Sequence, residues 1–234
     1  MIVPAIGAVA CAGAGLMAYA VRGRSSSLLG PSVHRGPATS KTIALTFDDG
    51  PSESTPEILR ILDEHKIPAT FFECGANLRR LPEIGRQVVA AGHEIGNHSD
   101  THVPFYLKSG AFIHNELSRA QNTIQETTGF TPSFLRAPYG VRWFGLREAQ
   151  RRLHLKGVMW TVIGLDWKME ADDIAARVTR RVLSGGIICL HDGRGLERSP
   201  DVSSTVGAVR RLAPAILDRG FRFVTISSLL CPTT

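Results

Sequence analysis

Hydrophobic and polar positions divide the chain into an uncharged opening stretch and a long alternation of strand-like and helix-like segments. Residues 1–21 carry no charge and are mostly Ala, Gly, Val, Ile and Leu, with Arg22 and Arg24 just after them. That is about the length a bilayer span needs, roughly 20 residues. The stretch reads as a hydrophobic membrane anchor or signal segment: Ala18-Tyr19-Ala20 resembles a cleavage site, yet no basic n-region precedes it. The positive-inside rule would place Arg22, Arg24, Arg35 and Lys41 in the cytoplasm, and the rest of the chain with them; the orientation stays open. Residues 22–40, rich in Gly, Ser and Pro, read as a linker.

Residues 41–234 form the expected domain. Strands are predicted near 42–47, 69–73, 93–97, 133–136, 157–161, 187–190 and 222–226, from apolar runs bounded by Gly, Pro or polar residues. Helices are predicted at about 54–65, 82–91, 111–128, 145–153, 171–183 and 203–219. In the first of them Ile58, Leu59 and Leu62 share a face, and Ser54 or Thr55 would cap the end before Pro56. Seven β/α alternations imply a parallel sheet in an α/β domain. A chain of 234 residues fits one such domain, and 43% hydrophobic residues supply its core.

The densest chemistry stands at two predicted strand ends. Asp48 and Asp49 close the run Thr42-Ile43-Ala44-Leu45-Thr46-Phe47, and Gly50-Pro51 turns the chain at once. His98 and His102 follow the short strand around Glu94–Asn97. Two imidazoles four positions apart can share a cation with one of the acids. That N₂O set leaves room for water, as a catalytic rather than a structural metal site does. The other carboxylate stays free as a base, which points to metal-assisted hydrolysis.

Five ordered motifs over some 150 residues carry a resemblance: Thr46-Phe47-Asp48-Asp49-Gly50-Pro51, His98-Ser99-Asp100-Thr101-His102, Arg136-Ala137-Pro138-Tyr139-Gly140, Asp166-Trp167, and Ile188-Cys189-Leu190-His191-Asp192. The sequence resembles the polysaccharide deacetylase (NodB-homology) family, carbohydrate esterase family 4, over about residues 40–230. The resemblance implies a single-domain distorted (β/α)7 barrel. It also implies that Asp49, His98 and His102 bind a divalent metal, most readily Zn²⁺ with Co²⁺ as a substitute, and that Asp48 is the base. Arg136 would hold that base, and the Tyr139 backbone N–H would face the oxyanion. His191 would protonate the leaving amine, and Asp166 would orient the machinery. Trp167 and Leu190 would form the acetyl pocket. One departure is Ile163, where the family usually carries another Asp.

The expected activity is removal of N-acetyl groups from amino sugars of an acetylated glycan, with acetate released. O-acetyl ester hydrolysis, hydrolysis of a small amide and a non-catalytic glycan-binding module are the rivals. The last would be expected to lack a ligand or Asp48, and the chain has them all. Charge adds little: the net +6 permits attraction of anionic polymers or lipid head groups. Nucleic acid is not an expected partner, because the arginines are spread over several helical segments without interleaved aromatics. The sequence carries no signal for an oligomeric state. Cys74 and Cys189 are expected as buried thiols, and Asp100 as a solvent-facing residue. Phe105, Tyr106, Trp143 and Phe144 would serve either packing or sugar stacking, and the loop with Arg194, Glu197 and Arg198 would be solvated or line the cleft.

Overall fold

The computed structural model describes the backbone of residues 3–231 and the side chains from residue 13 onward. Helix α1 (Val3–Arg22) precedes a two-residue strand, β1 (Ser32–Val33). Strand β2 (Thr42–Gly50) leads to α2 (Thr55–Glu64), and β3 (Thr70–Glu73) to the paired helices α3 (Gly75–Arg80) and α4 (Pro82–Ala90). Then come β4 (Glu94–Asn97), α5 (Gly110–Thr128), β5 (Phe134–Leu135), a 3₁₀ turn at Pro138–Gly140, and α6 (Leu146–Leu153). Strands β6 (Lys156–Val158) and β7 (Val162–Ile163) precede α7 (Ala171–Arg181). The last elements are β8 (Ile187–His191), α8 (Ser203–Leu217), β9 (Arg222–Phe223) and α9 (Ile226–Leu230).

The described strands pair in parallel in the order β1-β6-β5-β4-β3-β2-β8-β7, with β9 also on β2. The sheet curls without closing, so the expected (β/α)7 barrel is distorted by a gap between its edge strands, β1 (on β6) and β7. The predicted strand at 157–161 spans that gap. The chain leaves β6, the strand next to the β1 edge, after Val158 and rejoins the sheet at its other edge at Val162, so one apolar run becomes two short strands. Predicted 222–226 is likewise only the two residues of β9, and Ile226 already starts α9.

Strand β2 shows why the sheet holds. Ile43, Leu45 and Phe47 point to the helix-covered face, whereas Ala44 joins Phe72, Phe134 and Ile187 in the inner cluster. Burial on both faces makes the strand a continuous apolar run. Helix α2 buries Ile58, Leu59, Ile61 and Leu62 against that outer face. Its N-terminus is not closed by a side-chain cap. Thr55 instead receives the Ser52 N–H at 2.9 Å and donates to Asp192 at 2.6 Å, so it joins the first and fifth motifs.

Residues 22–40 lie along the domain. β1 pairs with β6, Arg35 donates to the Ser184 carbonyl at 2.9 and 3.1 Å, and Gly36 N–H reaches the Gly185 carbonyl at 2.8 Å. This segment therefore touches both sides of the gap. The hydrophobic stretch 1–21 lies in part outside the described residues, namely residues 1 and 2 and the side chains up to residue 12. Among the described residues no helix is long and apolar enough to cross a membrane.

Candidate active site

The carboxyl ends of β2, β4, β5 and β8 meet, and their last residues build the site. Asp49 sits in the left-handed region at φ 74°. That twist breaks the strand's alternation, so adjacent Asp48 and Asp49 both reach the cleft with different partners. Asp49 Oδ1 lies 3.2 Å from His98 Nε2 and 2.9 Å from His102 Nε2, and Asp49 Oδ2 accepts the Gly195 N–H at 2.8 Å. His98 Nδ1 is 2.7 Å from the Arg136 carbonyl, to which it donates, so Nε2 is the nitrogen turned to Asp49. Burial opposes ionisation of Asp49, but hydrogen bonds from His102 and His98 outweigh it and hold the carboxyl well below its ordinary value.

These three donors fit a divalent metal ion: they converge, they are buried, and the outer atoms of Asp49 and His98 are already engaged. A second convergent group, Asp48, Cys189 and His191, fits one less well. Burial pushes the Cys189 thiol well up, and the Asp48 carboxylate is already committed to an arginine.

Asp100 does not face solvent. It is fully buried, with both oxygens on Arg79 at 2.7 and 3.0 Å and a further ion pair to Arg119 at 2.9 Å. Two helices, α3 and α5, supply the cations that pair with this buried carboxylate between the two metal-type histidines. Glu116 of α5 accepts from Thr101 N and Oγ1 at 2.8 and 2.9 Å, so the whole histidine loop is tied to α3 and α5.

Asp48 Oδ1 accepts from Arg136 Nη1 at 2.6 Å, and its Oδ2 lies 3.4 Å from Cys189 Sγ. Arg136 is completely buried, stacks over Phe72 at 4.2 Å, and also donates to Thr46 Oγ1 at 2.8 Å and the Val158 carbonyl at 3.2 Å. It is not a surface arginine. Opposite, His191 Nδ1 is 2.9 Å from Asp166 Oδ1, while Asp166 Oδ2 accepts the His191 N–H at 2.8 Å and the Thr205 hydroxyl at 2.7 Å. Burial disfavours the imidazolium, but Asp166 more than offsets this, with Asp49 and Asp48 assisting, and its pKa rises from 6.5 to about 9.

Residues 35–158 match the family model described as polysaccharide deacetylase. The chain belongs to the polysaccharide deacetylase family. It is 36% identical over 198 residues to a chitooligosaccharide deacetylase from Bradyrhizobium sp. (strain ANU 289), covering 81% of this chain and 90% of the relative. A peptidoglycan-N-acetylglucosamine deacetylase from Bacillus cereus is 32% identical over 196 residues, covering 83% and 70% respectively. The crystal structure of a peptidoglycan N-acetylglucosamine deacetylase bound to an N-hydroxybenzamide compound superposes with a TM-score of 0.80 at 30% identity. That match covers 86% of this chain and 92% of the other.

In this deacetylase-family chain the site opens into a cleft of about 770 Å³, lined by Asp48, Asp49, His98, His102, Tyr139 and His191, with Trp160, Ile163 and Trp167 on its apolar side. Tyr139 is held at φ 56° and its ring packs tilted against His102, with centroids 4.7 Å apart. Trp167 stands edge-on to His191 at 5.3 Å. Leu190 lies elsewhere. It is fully buried in the cluster facing the helices, because β8 alternates and turns Cys189 and His191 to the cleft. Cys189 lines the cleft instead. Phe105 is buried in the core, whereas Tyr106 and Phe144 are exposed and flank Trp143. Arg194 lines the cleft, with its guanidinium on the Gly193 and Asp166 carbonyls, both at 2.9 Å. Gly193 makes room: a Cβ there would collide with the Asp49 carbonyl.

Thr205, Glu116 and Arg79 escaped the sequence reading. Each lies on a helix remote in sequence from the group it holds, where a lone polar residue carries no local signature. Cys189 could have been found from strand period two alone.

Proposed function

We propose that the chain is a metal-dependent hydrolase that removes N-acetyl groups from amino sugars of an oligo- or polysaccharide, of chitooligosaccharide or peptidoglycan type. The observation that carries this reading is one cleft containing an Asp-His-His donor set, an arginine-held carboxylate and a carboxylate-held histidine. Zinc suits the N₂O donors, with cobalt as a substitute. Bound at Asp49, His98 and His102, such an ion would make a water more acidic and polarise the acetyl carbonyl.

The chain's own residues handle the protons. Asp48 takes one from the attacking water through Oδ2, the oxygen that Arg136 does not hold. Arg136 pairs with the carboxylate and aims it, in a buried place where an unpaired charge would be costly. The Tyr139 backbone N–H stabilises negative charge as it develops on the carbonyl oxygen. His191 then gives its Nε2 proton to the amide nitrogen as the C–N bond breaks, so acetate and a free amine leave. Asp166, positioned by Thr205, holds the imidazole by Nδ1 and favours its protonated form. Trp167 and Cys189 flank the place of the acetyl methyl. Residues 1–21 are read as holding the enzyme at a membrane or in the cell envelope; the support is their length and lack of charge.

The direct test is acetate release from chitooligosaccharide, peptidoglycan and acetylxylan. Release from the first two, and little from the third, is the expected result. Preference for acetylxylan would turn the reading to O-deacetylation.

Asp166 also gives a pH prediction. The imidazolium is the active form, so a raised pKa carries activity to higher pH. In the loaded enzyme the ion offsets Asp49, and the alkaline limb of kcat should fall between the ordinary 6.5 and about 9. Asp166→Asn should move that limb to lower pH, by roughly one unit or more. A pH–rate profile whose alkaline limb is unmoved in the variant would show that Asp166 does not tune His191.

A further inference from the structure

The segment before the family match reaches the cleft. Arg142 is buried and grips that segment on both sides of Arg22. Its backbone N–H donates to the Val21 carbonyl at 3.0 Å, and its guanidinium donates to the Gly23 and Ser26 carbonyls. Ala20 and Val21 are themselves buried, and Arg24 Nη1 donates to the Thr161 carbonyl at 2.6 Å across the gap in the sheet. Arg22 lies between these fixed points, is exposed, and lines the cleft with Tyr139, Gly140, Trp160 and Trp167. Cleavage after Ala20 would leave each of these hydrogen bonds in place.

The other charges of the cleft are engaged. Asp48 is on Arg136, Asp49 is on the two histidines, and Arg194 is on two backbone carbonyls. Among the described residues Arg22 is therefore, beside the His191 imidazolium that serves the leaving nitrogen, the cleft cation whose hydrogen-bonding capacity is left for a ligand. A guanidinium fork pairs best with a carboxylate. The chain's net charge of +6 would draw in a polymer that carries such groups.

We propose that Arg22 is a specificity residue that binds a carboxylate on the glycan beside the acetylated sugar, so the enzyme favours an anionic acetylated glycan over a neutral one. This rests on the deacetylase reading. Peptidoglycan, with its lactyl and peptide carboxylates, meets the requirement, and chitooligosaccharide does not. The family match begins at residue 35, so Arg22 lies outside it.

The test compares the metal-loaded full chain with Arg22→Gln and Arg22→Lys. Three oligosaccharides of equal length serve as substrates: a peptidoglycan fragment with free carboxylates, the same fragment amidated, and a chitooligosaccharide. Arg22→Gln should raise KM about five- to tenfold on the free-carboxylate fragment alone and bring it level with the amidated one. Arg22→Lys should recover part of that loss, and added salt should erode the unaltered enzyme's preference. Equal losses on charged and amidated fragments, or no loss on either, would overturn the proposal. If the unaltered enzyme released acetate from no glycan, the deacetylase reading would fail instead. Calorimetric binding of the free against the amidated fragment would then decide Arg22, and equal affinities would reject it.

Discussion

Asp48→Asn is expected to lower kcat by roughly 10²–10⁴-fold while the protein keeps its metal. The separation follows from geometry. Asp49 carries the contacts to both histidines, whereas Asp48 is bound to Arg136 at 2.6 Å and makes no contact to either ring in the described set of ion pairs. The amide keeps the shape of Asp48 and removes the proton acceptor. Asp49→Asn should do the reverse and weaken metal binding first, because it takes a charged donor from the converging set. Metal analysis beside kcat distinguishes the two. Equal metal loss in both variants would mean that the two carboxylates share a role.

His191→Ala should damage amide hydrolysis far more than hydrolysis of an activated acetyl ester. An amine cannot leave readily unless its nitrogen is protonated, whereas the alkoxide of an activated ester departs with little help. The expected loss is roughly 10²–10⁴-fold on the N-acetyl glycan and under about tenfold on the ester, with metal content unchanged. The structure supplies the reason: Asp166 occupies Nδ1 at 2.9 Å, so the proton available to substrate is the one on Nε2. Equal losses on both substrates would make His191 a positioning residue rather than the proton donor.

The parts of this site that could be read in the sequence are those encoded over short distances. Asp48-Asp49-Gly50 at the end of an apolar run, and His98 with His102 after another, give the metal fragments directly. Arg136, Asp166 and His191 followed from motif order, and the structure brings them to the same cleft. What failed depended on partners far away in the chain. Asp100 read as a solvent-facing acid because Arg79 and Arg119, which neutralise it, sit on helices about twenty residues to either side. Leu190 was placed by motif rather than by strand alternation, which assigns the cleft to Cys189. The gap in the sheet, and the pairing of β1 with β6 beside it, depend on two- and three-residue strands whose positions are set by their neighbours rather than by any apolar period.

One titration follows metal binding and catalysis together. Metal-free protein is given zinc in steps, and bound ion and acetate release from an N-acetylated glycan are followed together. Both should rise in parallel and level off at one ion per chain, and His98→Ala should lose both. Full acetate release from exhaustively chelated protein, or from His98→Ala without bound ion, would contradict the account.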